Sequence, residues 1–177
     1  MTETAVFGGG CFWCTEAIFA MLKGVTKVEP GYAGGAMDNP NYQKVSSGIS
    51  GHAEVIRVTF DSAIISYEDL LTVFFGSHDP TTPNRQGADV GEQYRSVILY
   101  ANTAQKEAAF KLIDEVQKSL TDGTRVVTEV VPLEKFFVAE EYHQNYFKNN
   151  KEASYCQIVI EPKIEKVRKR FAELVQQ

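Results

Sequence analysis

The spacing of apolar residues along the chain predicts strands and helices in alternation. Short apolar or alternating runs predict strands at residues 4–7, 25–31, 53–60 and 95–101. Helical spacing predicts one helix at residues 14–22 and another that begins at the capping-box-like Ser66-x-x-Asp69 and ends near Gly76. The resulting β-α-β-β-α-β order predicts an α+β fold, namely a ferredoxin-like two-layer sandwich.

The last third of the chain is predicted to add a C-terminal helix/strand extension to this core. Thr103 is predicted to cap a long helix that ends near Leu120, and Pro162 to open the final helix at its favoured first position. Between them the pattern predicts a strand at residues 125–131, a helix at residues 139–147 and a strand at residues 155–160. No linker or repeat interrupts the pattern, so residues 1–177 are predicted to form a single domain.

Composition and charge narrow the class of protein. The chain is 44% hydrophobic and 23% charged, with a formal net charge of −5, which disfavours a general binder of nucleic acid or of anionic membranes. No apolar run has the length of a membrane span, and no signal-peptide pattern is visible, so we expect a cytoplasmic protein. The three cysteines are too few for a secreted disulfide scaffold, and in the cytosol a disulfide is usually transient and catalytic.

The most informative segment runs from Gly8 to Cys14 and contains three glycines, two cysteines and the only tryptophan. Cys11 is predicted to lie on a turn between a strand and a helix, near the first unpaired backbone N–H groups of that helix. Those donors and the helix dipole stabilise a thiolate, whereas burial raises the pKa of a thiol. We therefore expect Cys11 to be a reactive nucleophile, provided that the helix end outweighs the burial or that another group helps to stabilise the thiolate.

The Cys-x-x-Cys spacing has other interpretations. A structural zinc site normally needs a second close pair of ligands, and the remaining histidines and Cys156 lie far apart in sequence, so no metal site is predicted. Two buried cysteines packing as small hydrophobic residues would not explain the glycines and aromatic residues around them. A thioredoxin-like disulfide oxidoreductase or a thiol sensor without catalysis also remains open, although Pro30 and Pro40 do not fit the thioredoxin pattern.

Four kinds of side chain are candidates to act with Cys11. Phe12 and Trp13 are suited to wall a small apolar pocket for a methyl or thioether group, although core packing is the commoner role of aromatic residues. Glu54 stands at the start of a predicted strand and becomes a general acid if burial raises its pKa. Two tyrosines and one aspartate lie in the predicted loops at residues 33–50 and 77–93 or at their ends: Tyr42, Tyr94 and Asp89.

These loop residues also have ordinary structural interpretations. Loop tyrosines usually pack on the surface, but Tyr42 and Tyr94 together would supply two hydrogen bonds to one substrate oxygen. Asp89 fits an Asx turn that fixes its own loop. His78 is interpreted as a structural residue at the end of a helix. Long loops within a compact domain usually carry function, which favours the functional interpretation for the tyrosines.

Seven short motifs in a fixed order resemble peptide methionine sulfoxide reductases of the A type. The resemblance extends from about residue 5 to Tyr146 and rests on Gly10-Cys11-Phe12-Trp13, Gly31-Tyr32-Ala33-Gly34-Gly35, Asn39-Pro40-Asn41-Tyr42, Gly51-His52-Ala53-Glu54, His78-Asp79-Pro80, Arg85-Gln86-Gly87 and Gln93-Tyr94-Arg95-Ser96. The family fold agrees with the ferredoxin-like prediction. The resemblance implies an enzyme that reduces the S epimer of methionine sulfoxide in proteins. Whether it also reduces free methionine sulfoxide is left open.

The resemblance also implies a role for each candidate residue. Cys11 is similar to the nucleophile that becomes a sulfenic acid, and Glu54 to the acid that protonates the departing oxygen. Tyr42 and Tyr94 resemble the pair that hydrogen bonds that oxygen. In the family, the counterparts of three further residues form the methyl pocket or support the site: Phe12, Trp13 and Asp89. No prosthetic cofactor is implied; the expected partners are oxidised proteins and thioredoxin as reductant.

The chain departs from the family at the resolving cysteine. Many members have glycine where this chain has Cys14, and carry resolving cysteines on a glycine-rich C-terminal tail. Here the other cysteine is Cys156, in a predicted strand. Cys14 is favoured as the resolving thiol because its spacing from Cys11 permits intramolecular attack. Two side chains fixed on one helical turn would diverge, however, so the turn would have to open to form a disulfide. Cys156 therefore stays an alternative.

Overall fold

A computed structural model describes residues 1–177. It has a mixed α/β fold built on a six-stranded sheet in the order β7-β6-β1-β3-β2-β8. These strands are β1 (Thr2–Gly8), β2 (Val25–Ala33), β3 (Ala53–Asp61), β6 (Val97–Tyr100), β7 (Glu129–Pro132) and β8 (Phe136–Val138). A separate two-stranded hairpin contains β4 (Arg85–Gln86) and β5 (Asp89–Val90).

The sheet centres on β3, which pairs antiparallel with both β1 and β2. β6 pairs antiparallel with the other side of β1, and β8 with the other side of β2. Only β7 is parallel to its neighbour, β6, so the sheet is mixed. Because of this pairing, the C-terminal ends of β1 and β2 and the N-terminal end of β3 lie side by side. Gly8 is paired with Val97, and Tyr32 with Glu54.

Six helices accompany the sheet, and none is long and apolar enough to cross a bilayer. They are α1 (Phe12–Ala20), α2 (Tyr42–Ser46), α3 (Tyr67–Ser77), α4 (Thr103–Ser119), α5 (Tyr146–Asn149) and α6 (Glu161–Arg170). The capping box predicted at Ser66 and Asp69 is present at the start of α3. At α4 the cap is Asn102 rather than Thr103, because the Asn102 side chain accepts a hydrogen bond from the Gln105 N–H.

The main core lies between α1, α3 and one face of the sheet. It is a cluster of 23 buried residues, and the aromatic rings of Phe7, Phe19 and Phe74 pack together at its centre. A smaller cluster, which includes Val6, Val55 and Val97, lies on the opposite face. Successive apolar residues of β1 and β3 therefore lie on opposite faces of the sheet, and both strands that the sequence predicts are present.

The two predicted long loops contain short elements that the apolar pattern did not show. Residues 33–50 include α2, which begins after the Asn41 cap. Residues 77–93 include the β4–β5 hairpin and the start of a short 3₁₀ helix, Glu92–Tyr94. These elements are too short to bury a periodic apolar face, which explains why the pattern predicted loops.

The predicted helix at residues 139–147 is wrong. The chain instead forms a 3₁₀ helix at Glu141–His143 and then α5, separated by Asn145 in a left-handed conformation with φ 54°. A left-handed residue cannot continue an α-helix, so the segment breaks at this point. Strand β8 was not predicted, and the predicted strand at residues 125–131 is present only as Glu129–Pro132.

The predicted strand at residues 155–160 is also wrong, because Cys156–Ile160 is a π-helical turn that continues directly into α6. The run Cys156, Ile158, Ile160 alternates like a strand, but Ile158 is 73% exposed. Helical spacing instead buries Ile160, Ile164 and Val167. Pro162 lies inside this continuous helix and lacks the N–H of a regular turn, which favours the wider π turn before it.

Candidate active site

Cys11 lies at the turn between β1 and α1, as the sequence predicts. It is the residue immediately before the first helical residue, Phe12, and its own backbone is extended, with φ −59° and ψ 125°. The chain reverses through Gly10, whose φ of +100° favours glycine. A Cβ at this position would also come within 2.7 Å of the Gln86 side chain, so the turn is compatible only with glycine.

Seven of the sequence-predicted site residues line one cavity of about 190 Å³, together with an eighth residue, Tyr155. The seven are Cys11, Phe12, Trp13, Tyr42, Glu54, Asp89 and Tyr94. They come from α1, α2, β3, β5 and the 3₁₀ helix that follows β5. The fold therefore brings a thiol, two carboxyl groups, three phenols and two further aromatic side chains to one small space.

Glu54 is 2% exposed at the beginning of β3. Burial raises the pKa of its carboxyl group to about 8, and the negative charge of Asp89 adds to the rise, while a hydrogen bond from the Phe12 N–H opposes it. That hydrogen bond is 3.2 Å long and ends on Glu54 Oε1. At neutral pH Glu54 is therefore mostly a neutral acid with a proton available to the cavity.

Tyr42 and Tyr94 converge on the cavity from two different segments. Tyr42 is the first residue of α2, and Tyr94 is the last residue of the 3₁₀ helix. Burial raises the pKa of each phenol, and the nearby charge of Glu54 raises it further. Both hydroxyl groups therefore remain protonated and are able to donate hydrogen bonds.

Phe12 and Trp13 form an aromatic wall whose position is fixed from behind. Phe12 is fully buried. The Nε1–H group of Trp13 donates a hydrogen bond of 3.0 Å to Nδ1 of His143. The Trp13 ring stacks on Tyr146 with 3.7 Å between ring centroids and 6° between planes. The ring of His143 lies 4.9 Å from that of Phe12, so one histidine contacts both members of the wall.

Asp89 occupies β5 of the small hairpin rather than an isolated loop turn. Its partner in the hairpin is Gln86, whose side chain packs over the Gly10 turn and hydrogen bonds with the backbone of Asp79. The hairpin therefore places Asp89 in the cavity while it covers the turn that carries Cys11. His78 lies outside the cavity and is structural, since its ring bonds Phe74 O at 2.5 Å and Ser96 Oγ at 2.8 Å.

The helix end does not outweigh the burial of Cys11 in the structure. A hydrogen bond with Cys14 raises the pKa of Cys11 well above its usual value; burial and the charges of Cys14 and Glu54 raise it further. Cys11 makes no capping bond to the first turn of α1, and the Phe12 N–H is taken by Glu54. One of the donors that the sequence assigned to the thiolate, the Phe12 N–H, is therefore used elsewhere.

The surroundings of the two thiols favour a negative charge on Cys14 instead. The Cys11 hydrogen bond lowers the pKa of Cys14 to about 6 despite burial, and the Lys163 ammonium and the Tyr155 hydroxyl contribute to the lowering. Cys14 Sγ lies 3.6 Å from Tyr155 Oη and 3.7 Å from Lys163 Nζ. Cys11 lies just outside the regular helix, and its thiol packs near enough to Cys14 to affect the pKa of Cys14.

Cys156 is fully buried and belongs to the same cluster as Cys14, Ile160 and Ile164. Burial raises the pKa of its thiol, and the negative charges of Cys14 and Glu161 raise it further. Cys156 does not line the cavity that contains Cys11. The structure therefore brings all three cysteines to one region but gives only Cys14 a cationic neighbour.

Comparison with known proteins decides the family. A sequence profile described as peptide methionine sulfoxide reductase matches residues 3–175. The chain belongs to the peptide methionine sulfoxide reductase family. It is 52% identical over 171 residues to the reductase MsrA of Sulfolobus acidocaldarius, covering 97% of this chain and 96% of that protein. It is 56% identical to MsrA of Nautilia profundicola, covering 92% of each.

Solved structures support the same assignment for the fold. Methionine sulfoxide reductase A of Corynebacterium diphtheriae superposes with a TM-score of 0.83 at 33% identity, covering 86% of this chain and 76% of that one. Reduced Mxr1 of Saccharomyces cerevisiae gives 0.81 at 33% identity, covering 88% and 89%. Mxr1 in complex with Trx2 gives 0.58 at 25% identity, covering 82% and 84%. This reductase is thus an oxidoreductase that carries out the thiol-dependent reduction of methionine sulfoxide.

Sequence reasoning did not identify four residues around the site of this reductase: His143, Tyr146, Tyr155 and Lys163. His143, Tyr146 and Tyr155 lie in segments that were assigned the wrong secondary structure, and Lys163 lies in the final helix, where no role was assigned to it. The aromatic cluster Tyr142-His143-x-x-Tyr146 in an otherwise polar stretch was the available signal. It did not indicate which element these rings would contact.

Proposed function

We propose that Cys11 of this reductase attacks the sulfur of the S epimer of methionine sulfoxide in oxidised proteins. The observation that carries the proposal is the single cavity that contains the Cys11 thiol, the neutral acid Glu54, two tyrosine hydroxyls and an aromatic wall. A sulfoxide has a polar oxygen and an apolar methyl group on one pyramidal sulfur. The cavity offers a different chemical surface to each of them.

The oxygen is assigned to the polar side of the cavity. Tyr42 and Tyr94 donate hydrogen bonds to it, and Glu54 transfers its proton to it as the sulfur–oxygen bond weakens. The methyl group is assigned to the wall of Phe12 and Trp13, where apolar contact replaces contact with water. Asp89 is assigned a supporting role, because its charge helps to keep Glu54 protonated.

Cys11 is a neutral thiol at rest, so its proton must leave as the sulfur attacks. Cys11 is only partly buried, so this proton is assigned to solvent and the first step does not require Cys14. Oxygen transfer then releases methionine and leaves a sulfenic acid on Cys11, the first and reversible stage of cysteine oxidation. The rate of this step is limited by the three groups that contact the oxygen rather than by a preformed Cys11 thiolate.

The sulfenic acid is next converted to an intramolecular disulfide, for which Cys14 is the proposed resolving thiol and Cys156 the alternative. No prosthetic group takes part in this scheme. A dithiol protein of the thioredoxin type is the proposed reductant, which the yeast Mxr1–Trx2 complex supports. We further propose that residues 1–177 form one catalytic domain with a ferredoxin-like core, which the order β6-β1-β3-β2 supports.

The experiment that tests the activity uses the two separate epimers of methionine sulfoxide with dithiothreitol as reductant. Oxygen, methyl and the attacking thiol occupy three fixed directions around the sulfur, so only one epimer directs the rest of the residue out of the cavity. We expect methionine from the S epimer alone, measured by amino-acid chromatography. Equal use of the R epimer, or no methionine from either, would contradict the proposal.

We expect Cys14→Ser to retain the first turnover but to lower steady turnover with thioredoxin by roughly tenfold, because the sulfenic acid loses its neighbouring thiolate. Cys156→Ser should retain both activities and serves as the matched control. The linked peptides are identified by mass after one equivalent of substrate and digestion without reductant. A Cys11–Cys156 peptide with Cys14 unmodified would reverse the assignment.

A further inference from the structure

We propose that Lys163 is a positioning residue that activates Cys14 for its attack on the Cys11 sulfenic acid, and thereby selects Cys14 over Cys156. The inference rests on the proposed function, because it concerns the second step of that reaction. Its basis is a contact that the first step does not use, the approach of Lys163 Nζ to Cys14 Sγ at 3.7 Å.

The Lys163 side chain is committed to this contact. It projects from the first turns of α6, whose residues Ile164 and Val167 pack the helix against the rest of the protein. Lys163 is half-buried and forms no ion pair with a carboxylate. Cys14 Sγ is the hydrogen-bond acceptor of Lys163, so the charge of Lys163 is directed at the sulfur rather than at an acidic side chain.

Charged or titratable groups from several elements interact with Cys14. They are Cys11 at the start of its own helix, Glu54 on β3, Asp89 on β5, Tyr155 and Cys156 before α6, and Lys163 on α6. Among these groups Lys163 is the only cation. Asp89 opposes a thiolate at Cys14, whereas the Cys11 thiol and the Tyr155 hydroxyl support it by hydrogen bonding.

Cys156 lacks this support. It is buried with Cys14 but has no recorded contact with a cation, and Glu161 beside it carries a negative charge. A thiolate rather than a thiol attacks an oxidised sulfur, so the cysteine with the neighbouring ammonium has the advantage at neutral pH. The difference between the two cysteines arises from α6, because Lys163 contacts one sulfur and not the other.

In this step Cys14 and the Cys11 sulfenic acid form a disulfide and release water. Cys14 loses its proton, its sulfur forms a bond to the Cys11 sulfur, and the Cys11 sulfur–oxygen bond breaks. The hydroxyl leaves as water after taking one proton from solvent. Cys14 sulfur is oxidised, Cys11 sulfur is reduced, and the sulfenic acid formed in the first step is the only oxidant needed.

The test compares Lys163→Met, which removes the charge at similar length, with Lys163→Arg, which retains it. Lys166→Met on the same helix is the control for loss of an exposed charge. Each protein receives one equivalent of methionine sulfoxide and is quenched at successive times across a range of pH. Methionine release reports the first step, and the loss of trapped sulfenic acid with the appearance of the Cys11–Cys14 peptide reports the second.

We expect the pH midpoint for disulfide formation to rise by about 1–2 units in Lys163→Met, the usual effect of losing an adjacent opposite charge. At or below pH 6, the region where Cys14 ionises, the second step should slow by roughly threefold to tenfold, because less Cys14 is present as thiolate. The loss is not larger because a thiolate of higher pKa is a better nucleophile. At high pH the second step should be no slower than in the unmodified protein. Lys163→Arg and Lys166→Met should retain the original midpoint.

An unchanged midpoint in Lys163→Met would overturn the inference, as would an equal decrease at every pH, which is the signature of a structural defect. A Cys11–Cys156 disulfide in the unmodified protein would overturn it too. Absence of methionine release in the unmodified protein would instead contradict the proposed function itself. The two failures are therefore distinguished by which of the two steps is lost.

Discussion

Replacing Cys11 with serine should abolish methionine formation, even with one equivalent of substrate and excess dithiothreitol. A serine hydroxyl is a far weaker nucleophile at neutral pH than a thiol, and it cannot form the sulfenic acid that stores the transferred oxygen. The effect should be the largest of any single substitution. It is measured as methionine released in a single turnover, which does not depend on the resolving cysteine.

The Cys11→Ser protein should keep its fold. Cys11 is only partly buried, and its side chain makes no capping bond to α1, so the smaller oxygen leaves helix and turn in place. An unchanged thermal midpoint would separate a chemical effect from unfolding. Cys156→Ser is the control for loss of a thiol at a buried position. Methionine release by Cys11→Ser above the uncatalysed background would rule out Cys11 as the nucleophile.

Replacing Glu54 with glutamine should lower the rate of methionine formation by roughly 10²–10⁴-fold, the usual contribution of a positioned general acid. Glutamine keeps the size of the side chain and an oxygen that accepts from the Phe12 N–H, but it has no acidic proton. The measurement is single-turnover methionine release across a range of pH. Glu107→Gln, on the exposed face of α4, is a matched control that should retain full activity.

The pH profile provides a second test of Glu54. Its pKa is raised to about 8, so the acid is protonated below this pH and the single-turnover rate should decline as the pH rises through it. Glu54→Gln should lack that decline. A loss smaller than about threefold at every pH would contradict the role as general acid.

The same pKa predicts a change in stability. The usual value for a glutamate is 4.5, and between this value and about 8 the folded protein retains a proton that the unfolded chain releases. This group therefore makes the free energy of unfolding decrease as the pH rises through the window. Glu54→Gln cannot ionise, so its unfolding free energy should fall less steeply with pH. Chemical denaturation at several pH values measures the difference.

The sequence by itself determined the framework that carries the site. The short apolar run of β1, the alternating pattern of β3 and the capping box at Ser66 specify local structure directly, because each depends on residues close together in the chain. The ordered motifs identified the family, which the comparisons confirm. The motif containing Cys11 also located the turn correctly, since glycine permits the positive φ that the chain adopts at Gly10 between the strand and the helix.

Only the tertiary structure decided the last third of the chain and the electrostatics of the thiols. The 155–160 segment alternates like a strand, but the packing of Ile160 and Ile164 against α1 makes it helical. The charge on the cysteines depends on groups far away in sequence: Glu54 takes the donor expected for Cys11, and Lys163 approaches Cys14 across 149 residues. Such long-range contacts set the local charge and solvation of each thiol, and neither quantity is encoded in the spacing of neighbouring residues.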